Sequence, residues 1–168
     1  SSASFDVQIT YYDEFDVSQP VDDNDDDNEI PEDASAGTTT NITASSSDAD
    51  GTTNTVTYSI VSQTCNGAFS IDSSSGDVAV VSPSAIDYEV STTCGITIRA
   101  TSADGSTADS TFVVEITDVN DIAPQYAATD ANPDVSEGTT SVDTLAITDE
   151  DSTGTYTCAL TGVDSTLF

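Results

Sequence analysis

Asp118, Asn120 and Asp121 fall within four positions of one another in the run Ile116-Thr117-Asp118-Val119-Asn120-Asp121-Ile122-Ala123-Pro124-Gln125-Tyr126. Carboxylate and amide oxygens at that density suit a hard divalent cation such as Ca2+, which takes about six to eight oxygens from side chains and backbone carbonyls. The run supplies too few by itself, so other segments must complete the set. Two DxD pairs, Asp48/Asp50 and Asp149/Asp151, and the triplet Asp87-Tyr88-Glu89 are the candidates. A single DxD reads most simply as an Asx turn. Its recurrence ahead of a similar Gly/Thr/Tyr sequel makes the pair a repeated feature instead.

The elements that must position these oxygens are short strands. Period-two or β-branched runs occur around Ile30, after Thr38, and at Val56–Val61, Ala68–Asp72, Asp77–Val81, Ile96–Ala100 and 111–117. Each is bounded by Ser, Gly, Asp or Pro, and about seven such strands in about 100 residues have the spacing of a small antiparallel β-sandwich. The run Phe5-Asp6-Val7-Gln8-Ile9-Thr10 matches Phe112-Val113-Val114-Glu115-Ile116-Thr117 at Phe, Val, Ile and Thr, which marks an internal repeat. A second copy begins near residue 125: Val135-Ser136-Glu137-Gly138-Thr139 mirrors Pro31-Glu32 through Gly37-Thr38, and Asp149-Glu150-Asp151 mirrors Asp48-Ala49-Asp50. That copy ends at Phe168 before its last strands, so the parent chain is expected to be longer, or a neighbour must complete the half-domain by strand exchange.

Charge narrows the partners. With 31 acidic residues, one Arg, no Lys and no His, the formal net charge is −30. Phosphate binding needs Lys and Arg, so nucleic acid is excluded, and anionic membrane surfaces are excluded by the same sign. A self-repelling compact state gains from bound counter-charge. The three cysteines, Cys65, Cys94 and Cys158, have no CxxC spacing and no His beside them, which argues against zinc. They suit an extracellular chain with one disulfide and an odd thiol. The sequon Asn41-Ile42-Thr43 makes Asn41 a glycosylation candidate, and Ser and Thr at roughly a third of the residues suit solvated strand faces. No apolar run is long enough to span a bilayer and no signal peptide is present, so these are expected to have been removed or to lie outside the segment. The acidic stretch 11–29 reads as a solvated loop, or as an auxiliary low-affinity cation site. It is not an EF-hand, because Asp27 occupies the position that needs glycine.

Taken together, Pro31-Glu32, the two DxD pairs, Asp87-Tyr88-Glu89 and the linker DVNDIAP, which is similar to DxNDNAP, resemble the cadherin repeat. The resemblance covers one full repeat, the first half of the next and the last strand of the one before. It implies an all-β chain of tandem seven-stranded Greek-key β-sandwiches (cadherin-like, Ig-like) with the second repeat truncated. The implied domains are 1–19 as a last strand plus degenerate linker, 20–118 as a complete repeat, 119–124 as a calcium-binding linker, and 125–168 as half a repeat. Calcium would be held at the junction by Glu32, Asp87 and Glu89 from the earlier repeat and by Asn120 and Asp121 from the linker. Val119 and Ile122 would add backbone carbonyls, and Asp149 and Asp151 of the next repeat would complete the set.

Ile122 stands where the family usually has Asn, and the loop after Asp151 lacks a residue like Asn54. The upstream linker, residues 11–17, has lost the motif, so Asp48 and Asp50 either bind with Asp13 and Glu14 in an incomplete site or do not bind at all; fewer ions, and a hinge, are expected there. No Trp is present to support Trp-exchange adhesion. In a sandwich of this topology Cys65 and Cys94 come together, predicting a disulfide between them. The function implied is that of an extracellular, cell-surface rod, structural and adhesive, whose partners are calcium ions and neighbouring repeats or identical subunits. The alternative is an acidic mineral- or glycan-binding matrix protein. Catalysis would fall to carboxylates alone, without a Trp-lined cleft to serve a glycosidase, so no enzyme is expected.

Overall fold

The computed structural model describes residues 14–50, 52–128 and 145–151, with positions 4, 6, 7, 136, 157 and 159 besides. The strand expected over 5–10, most of the second copy's motifs and Cys158 lie outside the described residues. The chain divides into two compact units, Ser1–Thr117 and Asp118–Phe168.

In the first unit the period-two runs become strands that bury alternate side chains. These are β1 (Val21–Asp22), β2 (Glu29–Pro31), β3 (Thr39–Ser45), β4 (Val56–Gln63), β5 (Phe69–Ile71), β6 (Asp77–Val80), β7 (Thr93–Ser102) and β8 (Thr107–Thr117), with one 3-10 turn at Pro83–Ala85. Two four-stranded sheets result, ordered β1-β3-β6-β5 and β2-β8-β7-β4. β7 shows the alternation most fully: Cys94, Ile96, Ile98, Ala100 and Ser102 point inward, while Thr97, Arg99 and Thr101 point out. Ile42 and Ala44 of β3, Val78 and Val80 of β6, and Phe69 of β5 meet them from the other sheet, with Ile30, Val114 and Ile116 completing the core. The core is lean, built mostly of Ile, Val and Ala around Phe69, Tyr58 and the two half-cystines, in keeping with the composition.

The expected small antiparallel β-sandwich forms, with one parallel pair. β2 pairs β8 in parallel, Ile30 opposite Ile116. The reason lies in the acidic run: the first strand of the sandwich is split, β1 pairing β3 in one sheet and β2 crossing to the other. Residues 23–28 are that crossover. Asp22 organises it, Oδ1 accepting from the N–H of Asn24 at 3.2 Å and of Thr43 at 3.0 Å, and Oδ2 from Asn28 Nδ2 at 2.9 Å. Pro31, which lacks an N–H to donate, sits at the end of an edge strand, where the loss costs least.

Between β4 and β7 the predicted Cys65–Cys94 disulfide is present, with a sequence separation of 29 and both residues buried. In the second unit β9 (Gln125–Ala128) pairs β10 (Leu145–Thr148) antiparallel. Among the described residues no helix is long and apolar enough to cross a membrane.

Candidate metal centre

The first unit carries acidic groups at two places that the fold assembles from distant sequence. The first combines the loop after β3 with the β7–β8 hairpin. Asp48, Asp50 and Asp104 each offer a carboxylate oxygen within 4.8 Å of the others, and Asp50 is 2% exposed. Asp48 and Asp50 form the expected Asx turn, with the Asp50 N–H donating to Asp48 Oδ1 at 2.9 Å. The inward-pointing Ser102 hydroxyl donates to Asp48 Oδ2. That hydroxyl first, and then the Asp50 N–H, hold the Asp48 carboxyl below its ordinary pKa. Asn54 Nδ2 closes the loop on the Asp50 carbonyl at 3.0 Å.

Asp104 was not singled out from the sequence. It sits in the turn between β7 and β8, where its Oδ1 accepts the Ser106 N–H at 2.6 Å while Oδ2 is buried without a hydrogen-bond partner. The dipeptide Asp104-Gly105 between two strand runs was the available signal, because Asp-Gly is a preferred hairpin turn. What the dipeptide alone does not say is that this turn comes back to a loop more than 50 positions upstream. Asp13 lies outside the described residues. Its neighbour Glu14 reaches Asp50 through its backbone, the N–H donating to Asp50 Oδ1 at 3.3 Å.

The second place is built by the segment after β2 and the turn at 87–90. Glu32 is buried, and its Oε2 accepts the Tyr88 N–H at 2.8 Å, a bond across 56 positions. Its own N–H extends the β2–β8 ladder to the Thr117 carbonyl at 3.2 Å. The carboxylates of Glu32 and Glu89 approach within 4.8 Å. Asp87, exposed on the same turn, has Oδ1 engaged by the Val90 N–H at 3.0 Å and its carbonyl by the Ser91 N–H at 2.9 Å. It therefore caps the turn that presents Glu89.

Within the second unit the same Asx geometry recurs. The Asp151 N–H donates to Asp149 Oδ1 at 3.2 Å, and Asp151 Oδ2 accepts the Ile122 N–H at 2.9 Å. Each DxD thus receives an N–H from the stretch upstream of it, Glu14 in one unit and Ile122 in the other. Asp121 and Asp151 bring carboxylate oxygens within 4.8 Å, while Asn120 is exposed.

Clusters of carboxylates with engaged backbone partners, in a chain with no Lys or His, form an oxygen-only donor set. Chemistry of that kind fits Ca2+ and does not fit zinc.

Asn41, the sequon residue, occupies a bulge of β3 at φ 63 and is half-buried; its Nδ2 donates to the Asp27 carbonyl at 2.9 Å.

Comparison with known proteins points one way. A family profile described as a cadherin domain matches residues 27–117. The chain is 36% identical over 103 residues, 58% of its length, to the protocadherin-like wing polarity protein stan of Drosophila melanogaster. It is 36% identical over 149 residues, 83% of its length, to Protocadherin Fat 4 of Mus musculus. In each case it spans 3% of the longer protein. Among solved structures it is similar to Protocadherin Gamma B7 extracellular cadherin domains 1-4, with a TM-score of 0.67 and 24% identity over 85% of this chain and 35% of that one. A protocadherin gammaB7 EC3-6 cis-dimer structure matches with a TM-score of 0.61 and 27% identity over 81% of this chain and 32% of the other.

Proposed function

The chain belongs to the cadherin family, and from that premise we propose that it is a calcium-binding segment of an extracellular adhesive rod. Cadherin domains are structural and adhesive modules rather than enzymes. In this reading residues 20–118 are one complete repeat, 119–124 the calcium linker, and 125–168 the first half of the next repeat. Residues 1–19 are the last strand of a preceding repeat with its degenerate linker. Asn41 carries a glycan. Calcium is held by Glu32, Asp87 and Glu89 together with Asn120, Asp121, Asp149, Asp151 and the carbonyls of Val119 and Ile122. A second, poorer site uses Asp48, Asp50 and Asp104. Bound Ca2+ offsets carboxylate repulsion and stiffens the junction between successive repeats. Partners are neighbouring repeats or identical subunits, in keeping with the cis-dimer formed by a protocadherin gammaB7 fragment.

The observation that carries this reading is convergence: Asp48, Asp50 and Asp104 crowd their carboxylates within 4.8 Å of one another although they come from two separate loops. A mineral binder would spread its acids along exposed faces, and nothing in the comparisons favours that alternative. Calorimetric titration of the full chain with CaCl2 tests the proposal. Binding is expected with a Kd of about 10⁻⁴ to 10⁻³ M or tighter. Asp104→Ala should remove or weaken one class of site, and Asp121→Ala another. Solution scattering should show a more extended, less variable chain in Ca2+ than in chelator. No binding heat, together with superimposable scattering in the two conditions, would sink the proposal.

A further inference from the structure

The upstream run 11–17 reads from sequence as a linker that has lost its cation motif. Residues 14–18 are nevertheless fastened along the end of the first unit that carries Asp48, Asp50 and Asp104. The Val17 N–H donates to Ser106 Oγ at 3.0 Å. The Ser18 N–H donates to the Ser47 carbonyl at 2.9 Å, and the Ser47 N–H returns a bond to Ser18 Oγ at 2.9 Å. Val17 itself is 5% exposed and packs as a member of the hydrophobic core, whereas Phe15 two positions earlier is 53% exposed. None of the three bonds at Val17 and Ser18 involves a carboxylate. Only the Glu14 N–H, 3.3 Å from Asp50 Oδ1, rests on a group that a cation would also engage.

We infer that Val17 and Ser18 seat the strap 14–18 on the first unit independently of any cation, so that no pivot at this end of the unit falls at or after Val17. The physical basis is the division of labour along five residues. One side chain is buried, neutral hydroxyl and carbonyl oxygens take the N–H groups beside it, and only Glu14 bonds the acidic cluster directly, Ser106 reaching it through its own N–H on Asp104 Oδ1. Removing a divalent cation strips counter-charge from Asp48, Asp50 and Asp104, but it leaves the Ser106, Ser47 and core contacts in place. The strap would then keep its register.

Amide hydrogen exchange on the full chain tests this, with the amide of Ile98 in the centre of β7 as the internal reference. Protection of the Val17 and Ser18 amides relative to Ile98 should agree within twofold between CaCl2 and chelator. Ser106→Ala should lower Val17 protection at least tenfold in both conditions. Val17→Ala, which keeps every backbone partner, should lower protection of Val17 and Ser18 together. A larger than twofold fall in chelator, or a Ser106→Ala variant with unchanged Val17 protection, overturns the inference. The Ser106→Ala arm does not depend on whether calcium binds, so failure of the strap and failure of the calcium reading are told apart.

Discussion

Replacing both Cys65 and Cys94 with alanine tests how much of the first unit's stability comes from one cross-link. The bridge joins the turn after β4 to β7, neighbouring strands of one sheet, and encloses a loop of 29 positions. Within that loop lie β5, β6, the 3-10 turn and the turn presenting Asp87 and Glu89. The chain-entropy relation for a loop of that length gives about 3.6 kcal/mol at 25 °C, lost when the unfolded chain is freed. Removing two buried sulfurs, Cys94 being 0% exposed, adds a further loss of order 1 kcal/mol. For a domain of about 100 residues, the cross-link alone should be worth roughly 15 to 30 °C in Tm. Urea unfolding followed by tyrosine fluorescence, with wild type kept oxidised, measures the difference. The slope m should rise in the variant, because an unlinked unfolded chain exposes more surface. A loss below about 1 kcal/mol with unchanged m would refute the entropic argument and would mean that the ladders of β4 and β7 hold the loop without the bridge.

Gly76→Ala should be far more damaging than an ordinary turn substitution. Gly76 has φ 80, and an added Cβ would lie 2.1 Å from the Ala44 carbonyl oxygen on the neighbouring strand, which cannot move without breaking the β3–β6 register. A loss of about 2 kcal/mol or more is expected from chemical denaturation, whereas Gly105→Ala, with open space around its Cβ, should cost less. The single arginine sets a pH dependence. Hydrogen bonding from Arg99, at 2.7 Å from Nε to Asp109 Oδ1, holds the Asp109 carboxyl below its ordinary pKa. Its stabilisation is therefore present above the unfolded pKa and lost as pH falls through the depressed folded value. Arg99→Ala should lower Tm near pH 7 slightly, since both partners are about 40% exposed, and its curve should converge with that of wild type at acid pH, which flattens the variant's acid limb.

Most of the strands and both DxD turns were legible because they depend on neighbours in the chain. Alternation such as Cys94, Ile96, Ile98, Ala100 declares a half-buried strand locally, and Asp48 closes its turn on a residue two positions away. The disulfide followed from family resemblance together with strand order. Other features depended on register between strands far apart in sequence. Splitting of the first strand, and with it the parallel pairing of Ile30 with Ile116, is decided by which sheet offers an open edge. Asp87 was read as a ligand of equal standing with Glu89, but it also caps its own turn. Only the fold distinguishes those tasks.

Residue types and spacing by themselves determined a strongly anionic, all-β chain with oxygen-rich junctions, because charge sign and strand periodicity are local properties. Tertiary structure alone decided that Asp104 joins Asp48 and Asp50, that Glu32 accepts the Tyr88 N–H, and that Val17 belongs to the core. Each of those facts requires two segments separated by tens of residues to meet. Such meetings are set by strand register and sheet packing, to which no short stretch of sequence has access.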